Sequence, residues 1–113
     1  ESITLRFRVI HEMLTASFET PAAVVASGSA LLHSPAWIQI MADALGQTIA
    51  VCSEPEASCR GAVLWTLERI GAIHSLTELP AATGAVFPAR PAYHSVYNGL
   101  LQQQTLLYEK LFE

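Results

Sequence analysis

Residues 24–71 contain two short apolar runs, each followed by a turn and a helical pattern. The first run ends in Ser27-Gly28-Ser29, and a helical pattern opens at Ser34-Pro35. The second run, Thr48–Cys52, leads into a helical pattern over Glu56–Ile70. Strand, glycine turn, helix, strand and helix in this order form the core of a parallel α/β unit. The chain is therefore predicted to be α/β, with a parallel β-α-β core flanked by helices.

The borders of this core carry local signals. The first strand is predicted at Ala22–Ala26, and its continuous apolar run is typical of a strand covered on both faces. Gly28 can take the positive φ of a sharp turn. Ser34 is a suitable N-cap with Pro35 at the first helical position, and Gly46 is suited to end that helix.

The flanking segments give simpler patterns. Apolar residues three or four apart predict a helix over Ile3–Phe18, ended by Thr20-Pro21, although an alternation at its start leaves a strand open. The prolines of Ala72–Pro91 indicate a loop, with room for a helical turn near Ser75–Leu79. The last segment, Ser95–Phe112, is predicted to be a helix with one stripe of mostly apolar residues: Val96, Leu100, Gln103, Leu107 and Leu111.

Composition limits the partners. The 113 residues predict one domain, 1–113. A net charge of -4 with six basic residues argues against a nucleic-acid surface, which needs clustered Lys and Arg. The chain is 51% hydrophobic and 14% charged, whereas average domains are about 25% charged. This excess of apolar residues favours a piece of a larger protein or an obligate partner.

Neither membrane nor disulfide chemistry is expected. No apolar run reaches the length of about 18 residues that a membrane helix needs, and no signal-peptide pattern follows Glu1. Cys52 and Cys59 lack metal-site spacing, so buried free thiols are predicted, in keeping with a reducing cytoplasm.

Few residues are candidates for chemistry. A glycine turn before a helix can face an anion, so Gly28-Ser29 is either a ligand turn or a plain tight turn. His33 lies beside this turn and either bonds locally or contacts a ligand, while His11 and His74 are interpreted as surface residues. Asp43, the only aspartate, is interpreted as structural in preference to a catalytic base.

Two further residue types have structural explanations. Gly61 lies inside a predicted helix, where glycine is about 1 kcal/mol worse than alanine. A neighbouring helix or a flat ligand is therefore expected close to its backbone. Trp37 and Trp65 fall on apolar helix faces and are interpreted as core residues. No catalytic triad or metal cluster can be argued from spacing.

The string SGSALLHSPAWIQIMADALG, followed by EPEASCRGAV, resembles the C-terminal domain of the FGGY carbohydrate kinases. Those proteins typically have a Gly-Gly turn, then S-x-x-W-x-Q-x-x-A-D-x-L-G and a helix with E-A-S/T-x-x-G-A-A. The resemblance covers essentially the whole chain. The forms S-P-x-W and E-x-S-x-R-G-A are most similar to gluconokinases, with xylulokinases second.

The resemblance implies a fragment of an actin-like, ribonuclease-H-like lobe that contributes to an ATP site. The backbone of Gly28, Ser29 and Ala30 would lie near the ribose and phosphates of the nucleotide. His33 would reach adenine, and Gly61 would lie close to the base. Ser29 departs from the usual second glycine, and Val63 from the usual second alanine.

The resemblance also implies what the chain lacks. The catalytic base, the Mg²⁺ ligands and most of the sugar site belong to the family's N-terminal lobe, so the fragment is expected to be inactive alone. The parent would move the γ-phosphate of Mg-ATP to a hydroxyl of a sugar or sugar acid, gluconate first. A hairpin found in the family lobe is absent, which predicts free strand edges and self-association or pairing with the missing lobe. A non-catalytic interaction module is the alternative.

Overall fold

The computed structural model describes residues 1–18 and 23–112. Helices and strands alternate through the first two thirds of the chain, and a long helix closes it. The elements are α1 (Ser2–Ser17), β1 (Val24–Ala26), α2 (Ser29–Leu32), α3 (Pro35–Leu45), β2 (Ile49–Cys52), α4 (Ala57–Arg69), a 3-10 turn (Leu76–Glu78), β3 (Thr83–Phe87) and α5 (Pro91–Phe112).

The three strands form one mixed sheet in the order β1-β2-β3. β1 and β2 are parallel, with Val25 opposite Ala50, so the predicted parallel β-α-β core is confirmed. β3 pairs antiparallel with β2 and places Phe87 opposite Ile49. It therefore covers the second edge of β2, and the expectation of two strands with free edges is wrong for β2.

The prediction of an irregular loop over Ala72–Pro91 missed β3. Its sequence, Thr-Gly-Ala-Val-Phe, gives little apolar alternation, and only Phe87 is even partly buried. Pairing with β2 stabilises β3, because the formation of a strand depends on pairing and packing more than on the preferences of its own residues. The short helical turn expected near Ser75–Leu79 is confirmed as the 3-10 turn.

α3 lies at the centre of the packing. One of its sides carries Ile38 and Ala42, which pack against Ala26 and Ile49 of the sheet. Its other side carries Ala44, which packs against Leu5 of α1 and Tyr97 of α5. Ala42 and Ala44 have no exposed surface, and their small side chains let the sheet and both long helices approach α3 closely.

α1 confirms the helical interpretation of the first segment over the alternative strand. Thr4, fully buried on this helix, accepts a hydrogen bond of 3.2 Å from the indole Nε1 of Trp37 on α3. A buried indole N–H needs such a partner. The proposed helix stop at Thr20-Pro21 and the first residue of the predicted strand, Ala22, lie outside the described residues.

The sheet is covered on one face only by the described residues. Val24 and Ala26 of β1 pack against α3, whereas Val25 points away and is 47% exposed. The prediction of a strand buried on both faces is therefore wrong for β1. Trp65 also departs from expectation, because 60% of its surface is exposed rather than in a core.

Other surface predictions have mixed outcomes. Cys52 is partly buried and Cys59 is exposed; both are free, so the prediction of a buried thiol is wrong for Cys59. His74 is exposed as expected, but His11 is partly buried. α5 begins at Pro91, four residues before the predicted start, and most of its apolar stripe faces away from the described core: Val96, Leu107 and Leu111. Within residues 1–18 and 23–112, no helix is both long and apolar enough to cross a membrane.

Candidate nucleotide-binding site

The turn after β1 is built around Gly28. Its backbone angles, φ 95° and ψ 141°, lie where side-chain-bearing residues are strained. The short helix α2 follows at once, and the N–H groups of Leu31 and Leu32 both donate to the carbonyl of Gly28 at 3.1 Å. Gly28, Ser29 and Ala30 are exposed. The sequence did not predict α2, since its helical pattern opened only at Ser34.

His33 closes α2 and bonds back to the same turn. Its Nδ1 lies 2.7 Å from the carbonyl oxygen of Ser29. A carbonyl only accepts, so Nδ1 carries the hydrogen and Nε2 of the neutral ring is an acceptor. The local hydrogen bond that was one of the two interpretations of His33 is thus present, and it orients an exposed imidazole beside the turn.

α3 starts and ends at the predicted residues. Ser34 is its N-cap residue and Pro35 its first residue, although the Ser34 side chain makes no capping hydrogen bond. At the other end Gly46 is left-handed, with φ 67° and ψ 24°, and its N–H donates to the carbonyl of Ala42. Pro35 and Gly46 therefore act as the sequence indicated.

Gly61 lies in α4, the helix that follows β2. A Cβ placed on it would meet no atom within 4 Å among the described residues, so the neighbouring helix that was one explanation for this glycine is not found there. Because β1 and β2 are parallel, the turn at Gly28 and the start of α4 follow the same end of the sheet. In open α/β sheets ligands bind outside the carboxyl ends of the strands.

Asp43 is a structural residue, as predicted. It is 1% exposed. Its Oδ1 accepts from the Arg90 backbone N–H at 2.8 Å and from Gln39 Nε2 at 3.0 Å. Its Oδ2 accepts from the Arg90 guanidinium at 2.6 Å. With both oxygens engaged, this carboxylate is unsuited to serve as a catalytic base.

Residues 90–94 hold α3 against α5 through two groups of Asp43, its side-chain carboxylate and its backbone carbonyl. The Arg90 guanidinium lies 4.0 Å from the ring centre of Tyr93. The Nδ1 of His94 lies 2.9 Å from the Asp43 carbonyl oxygen. Sequence reasoning did not find Arg90 as the partner of Asp43. The two are 47 residues apart, and no local spacing links them.

The charge of Asp43 makes stability depend on pH. Burial would raise the pKa of Asp43, but hydrogen bonds from Arg90 and Gln39 outweigh it and hold that pKa below its ordinary value. The pair therefore contributes stability fully above the unfolded-state pKa of about 3.9, and the contribution is lost as pH falls through the lower native pKa. We expect urea unfolding midpoints to fall below about pH 4. An Asp43→Asn variant should lack this component of the fall; parallel profiles of the two proteins would contradict the assignment.

The chain is similar in sequence and in fold to known proteins. The sequence model of the C-terminal domain of the FGGY family of carbohydrate kinases matches residues 1–67. No curated protein matches the chain. The fold is similar to that of the xylulose kinase from Rhodospirillum rubrum, with 27% identity and a TM-score of 0.76 over 96% of this chain and 22% of that one.

A second solved structure, the ligand-bound xylulose kinase from Lactobacillus acidophilus, has 21% identity and a TM-score of 0.73 over 82% of this chain and 19% of that one. At this identity it supports the fold alone. The chain thus spans about a fifth of the length of the kinases it resembles. The predicted fold class, an α/β fragment of an actin-like lobe, is confirmed.

Proposed function

Because this chain belongs to the FGGY family of carbohydrate kinases, we propose that it supplies part of the nucleotide side of an ATP-dependent sugar kinase. One observation carries the proposal. An exposed glycine turn and an exposed mid-helix glycine, Gly28 and Gly61, follow the same end of a parallel strand pair, and a Cβ placed on either would meet no described atom within 4 Å apart from its neighbours in the chain. Both lie in the part that the family model matches.

Each candidate residue has a role that its surroundings support. At Gly28 the missing side chain leaves the backbone accessible, and the following N–H groups of Ser29 and Ala30 are suited to phosphate or ribose oxygens. His33 offers an acceptor nitrogen of the kind that an adenine amino group can use. Gly61 leaves room for the face of the base. Ser29 stands where the family typically has its second glycine, and its side chain would leave less room for the nucleotide to approach the backbone of the turn.

The remaining chemical roles are the metal site, the catalytic base and the sugar site. Among residues 1–18 and 23–112, no group of three His, Cys, Asp or Glu side chains could hold a metal ion. Phosphoryl transfer depends on positioning and on charge stabilisation by metal and hydrogen-bond donors. On the basis of the family resemblance, we assign the Mg²⁺ ligands, the base and the sugar site to the rest of the kinase, acting in the cytoplasm.

Xylulose is the first candidate for the sugar substrate in this proposal. The neighbour of 27% identity is a xylulose kinase, which supports the second of the two predicted substrates over gluconate. The parent kinase would transfer the γ-phosphate of ATP to a hydroxyl of xylulose or of a related sugar or sugar acid. A coupled ATP-consumption assay of the full-length kinase, with xylulose and gluconate side by side, decides between them.

The fluorescence of Trp65 can report nucleotide binding. Trp65 follows Gly61 by one helical turn, on the same side of α4, and is exposed. In a Trp37→Phe background, we expect saturable quenching of Trp65 fluorescence by Mg-ADP. Replacing Gly61 with Leu should weaken this binding at least about tenfold, the equivalent of 1.4 kcal/mol, because the side chain fills the space beside the base.

A second helical glycine supplies the control. Gly99 lies inside α5, and a Cβ there also meets no atom of the described residues within 4 Å. Gly61→Leu and Gly99→Leu should both favour their helices by up to about 1 kcal/mol. Only the first should weaken ADP binding. Equal affinities of the two variants would contradict the role of Gly61, and the absence of binding to every form would favour the non-catalytic interaction module.

A further inference from the structure

Trp65 leaves 60% of its surface exposed, although it lies well inside α4. Tryptophan is a large residue that is highly buried on average. Exposure alone does not make it a binding residue, because single apolar residues are common on protein surfaces. The position of Trp65 relative to Gly61 distinguishes it from the other exposed apolar residues of α4.

Trp65 follows Gly61 by four residues, so the two are neighbours on one side of α4, about 6 Å apart along the helix axis. Side chains of a helix lean toward its N-terminus, which directs the indole toward the turn that contains Gly61. A Cβ placed on Gly61 would still meet no described atom within 4 Å, apart from its chain neighbours and the backbone of its own helix. The indole and the bare backbone of Gly61 therefore border a space that no described side chain fills.

The charged side chains on either side of this pair are already bonded elsewhere. Arg60 donates to the carbonyl of Pro80 at 3.4 Å, and Glu68 accepts from the backbone N–H of Leu76 at 2.8 Å. Both bonds attach α4 to the segment that follows it. Neither charged group needs a partner from a ligand, so the space beside the indole favours a flat, uncharged group.

A purine base has the properties that this space requires. It is flat, and its π face packs against an aromatic ring in an offset-stacked or edge-to-face arrangement. Because α4 follows β2, its first turns lie at the carboxyl end of the parallel strands, where open α/β sheets bind ligands. The same end of the sheet carries the glycine turn after β1.

We propose that Trp65 packs its indole against the purine base of the bound nucleotide, beside the backbone of Gly61. The proposal rests on the proposed function, since it takes the nucleotide to bind at this end of the sheet. Aromatic packing accepts every base, because every base has a π face. Trp65 would therefore supply affinity for the base, whereas a hydrogen bond to His33 would supply a preference for adenine. The competing explanation of the exposed indole is a cover from another part of the kinase.

Hydroxyl-radical oxidation tests the contact in the unmodified full-length kinase. Mass spectrometry of the peptide that contains Trp65 measures how readily the indole is oxidised. We expect oxidation in the nucleotide-free enzyme and its loss in saturating Mg-ADP. Mg-pyrophosphate, which has phosphates but no base, should give no protection. An indole that is protected before nucleotide is added would favour the cover from the kinase and overturn the proposal, and so would oxidation that Mg-ADP leaves unchanged.

Two variants test the aromatic ring through the Kd of the full-length kinase for Mg-ADP, measured by calorimetry. Trp65→Leu keeps an apolar side chain without a π face and should raise this Kd at least about fivefold. Trp65→Phe keeps an aromatic ring and should recover most of the affinity. Ile70→Ala, at an exposed apolar residue just after α4, is the control and should leave the Kd unchanged. A loss in Trp65→Phe as large as that in Trp65→Leu, or no loss in either, would overturn the proposal.

This inference and the proposed function fail separately. Mg-ADP binding with a Kd that Trp65→Leu leaves unchanged would keep the nucleotide site and remove Trp65 from it. No binding of Mg-ADP by the unmodified kinase would contradict both. If Trp65→Leu prevents folding, the oxidation of the unmodified enzyme decides alone.

Discussion

Replacing Asp43 with Asn is expected to lower the free energy of unfolding by about 3 kcal/mol, the lower end of the cost of breaking a buried ion pair. The carboxylate accepts from Gln39 within α3 and from the backbone and guanidinium of Arg90, and the bonds from Arg90 join α3 to the start of α5. An Asn amide accepts through one oxygen only, so at least one donor loses its acceptor. The Arg90 side chain is 49% exposed and regains water, which keeps the cost below the upper end.

A surface ion pair provides the comparison. Arg8 and Glu12 form an i,i+4 pair at 2.8 Å on α1, with the Glu12 side chain 52% exposed. Glu12→Gln should cost about 1 kcal/mol or less, because the Glu12 carboxylate is solvated even though the Arg8 side chain is only 13% exposed. Urea unfolding of both variants at pH 7 measures the difference. A cost for Asp43→Asn as small as that of Glu12→Gln would contradict a structural role for the Asp43 pair.

Replacing Gly46 with Ala is expected to cost about 2–3 kcal/mol. A left-handed backbone costs a non-glycine residue about 1–2 kcal/mol, and the φ of Gly46 is 67°. In addition, a Cβ at this position would lie 2.6 Å from Cε1 of His94. The His94 ring cannot move without loss, because its Nδ1 is bonded to the Asp43 carbonyl.

Gly71 separates the two contributions. It also has a positive φ, 75°, but a Cβ there meets no described atom within 4 Å. Gly71→Ala should therefore cost only the backbone part, about 1 kcal/mol. Thermal and urea unfolding of the two variants give the difference due to His94. Equal destabilisation would show that the His94 ring yields freely.

The sequence predicted the elements whose signals are local. Helical patterns located α1, α3, α4 and most of α5, and Pro35 and Gly46 marked both ends of α3 because proline and glycine act on the backbone itself. The continuous apolar runs located β1 and β2. In each case the residues that determine the element lie within it or directly beside it.

The elements that were missed depend on distant residues. β3 exists through its pairing with β2, and its small residues give no alternation to detect. The Asp43–Arg90 pair joins residues far apart in the chain. The exposure of Trp65 also has no local signal, since an apolar helix face is the same whether its cover is in this chain or in another part of the kinase.

The candidate site was predictable only in part. The turn at Gly28 and the unusual position of Gly61 are visible in the sequence, and the family resemblance gave them a ligand. The short helix α2 was not predicted, because four residues are too few for a periodic pattern. For His33, a local hydrogen bond was one of two interpretations, and its partner Ser29 was not predicted. The roles of Gly28, Ser29, Ala30, His33 and Gly61 toward a nucleotide remain predictions.

The central claim is tested most directly by steady-state kinetics, with ATP and xylulose varied in turn, of a chimera in which this chain replaces the matched part of the Rhodospirillum rubrum xylulose kinase. The account predicts that Gly28→Val and Gly61→Leu each raise the KM for ATP at least about tenfold, with the KM for xylulose unchanged. Gly71→Val and Gly99→Leu, at matched glycines away from the candidate site, should leave both constants unchanged. An active chimera whose KM for ATP is unchanged by both site variants would contradict the proposal that the nucleotide binds at the carboxyl end of β1 and β2.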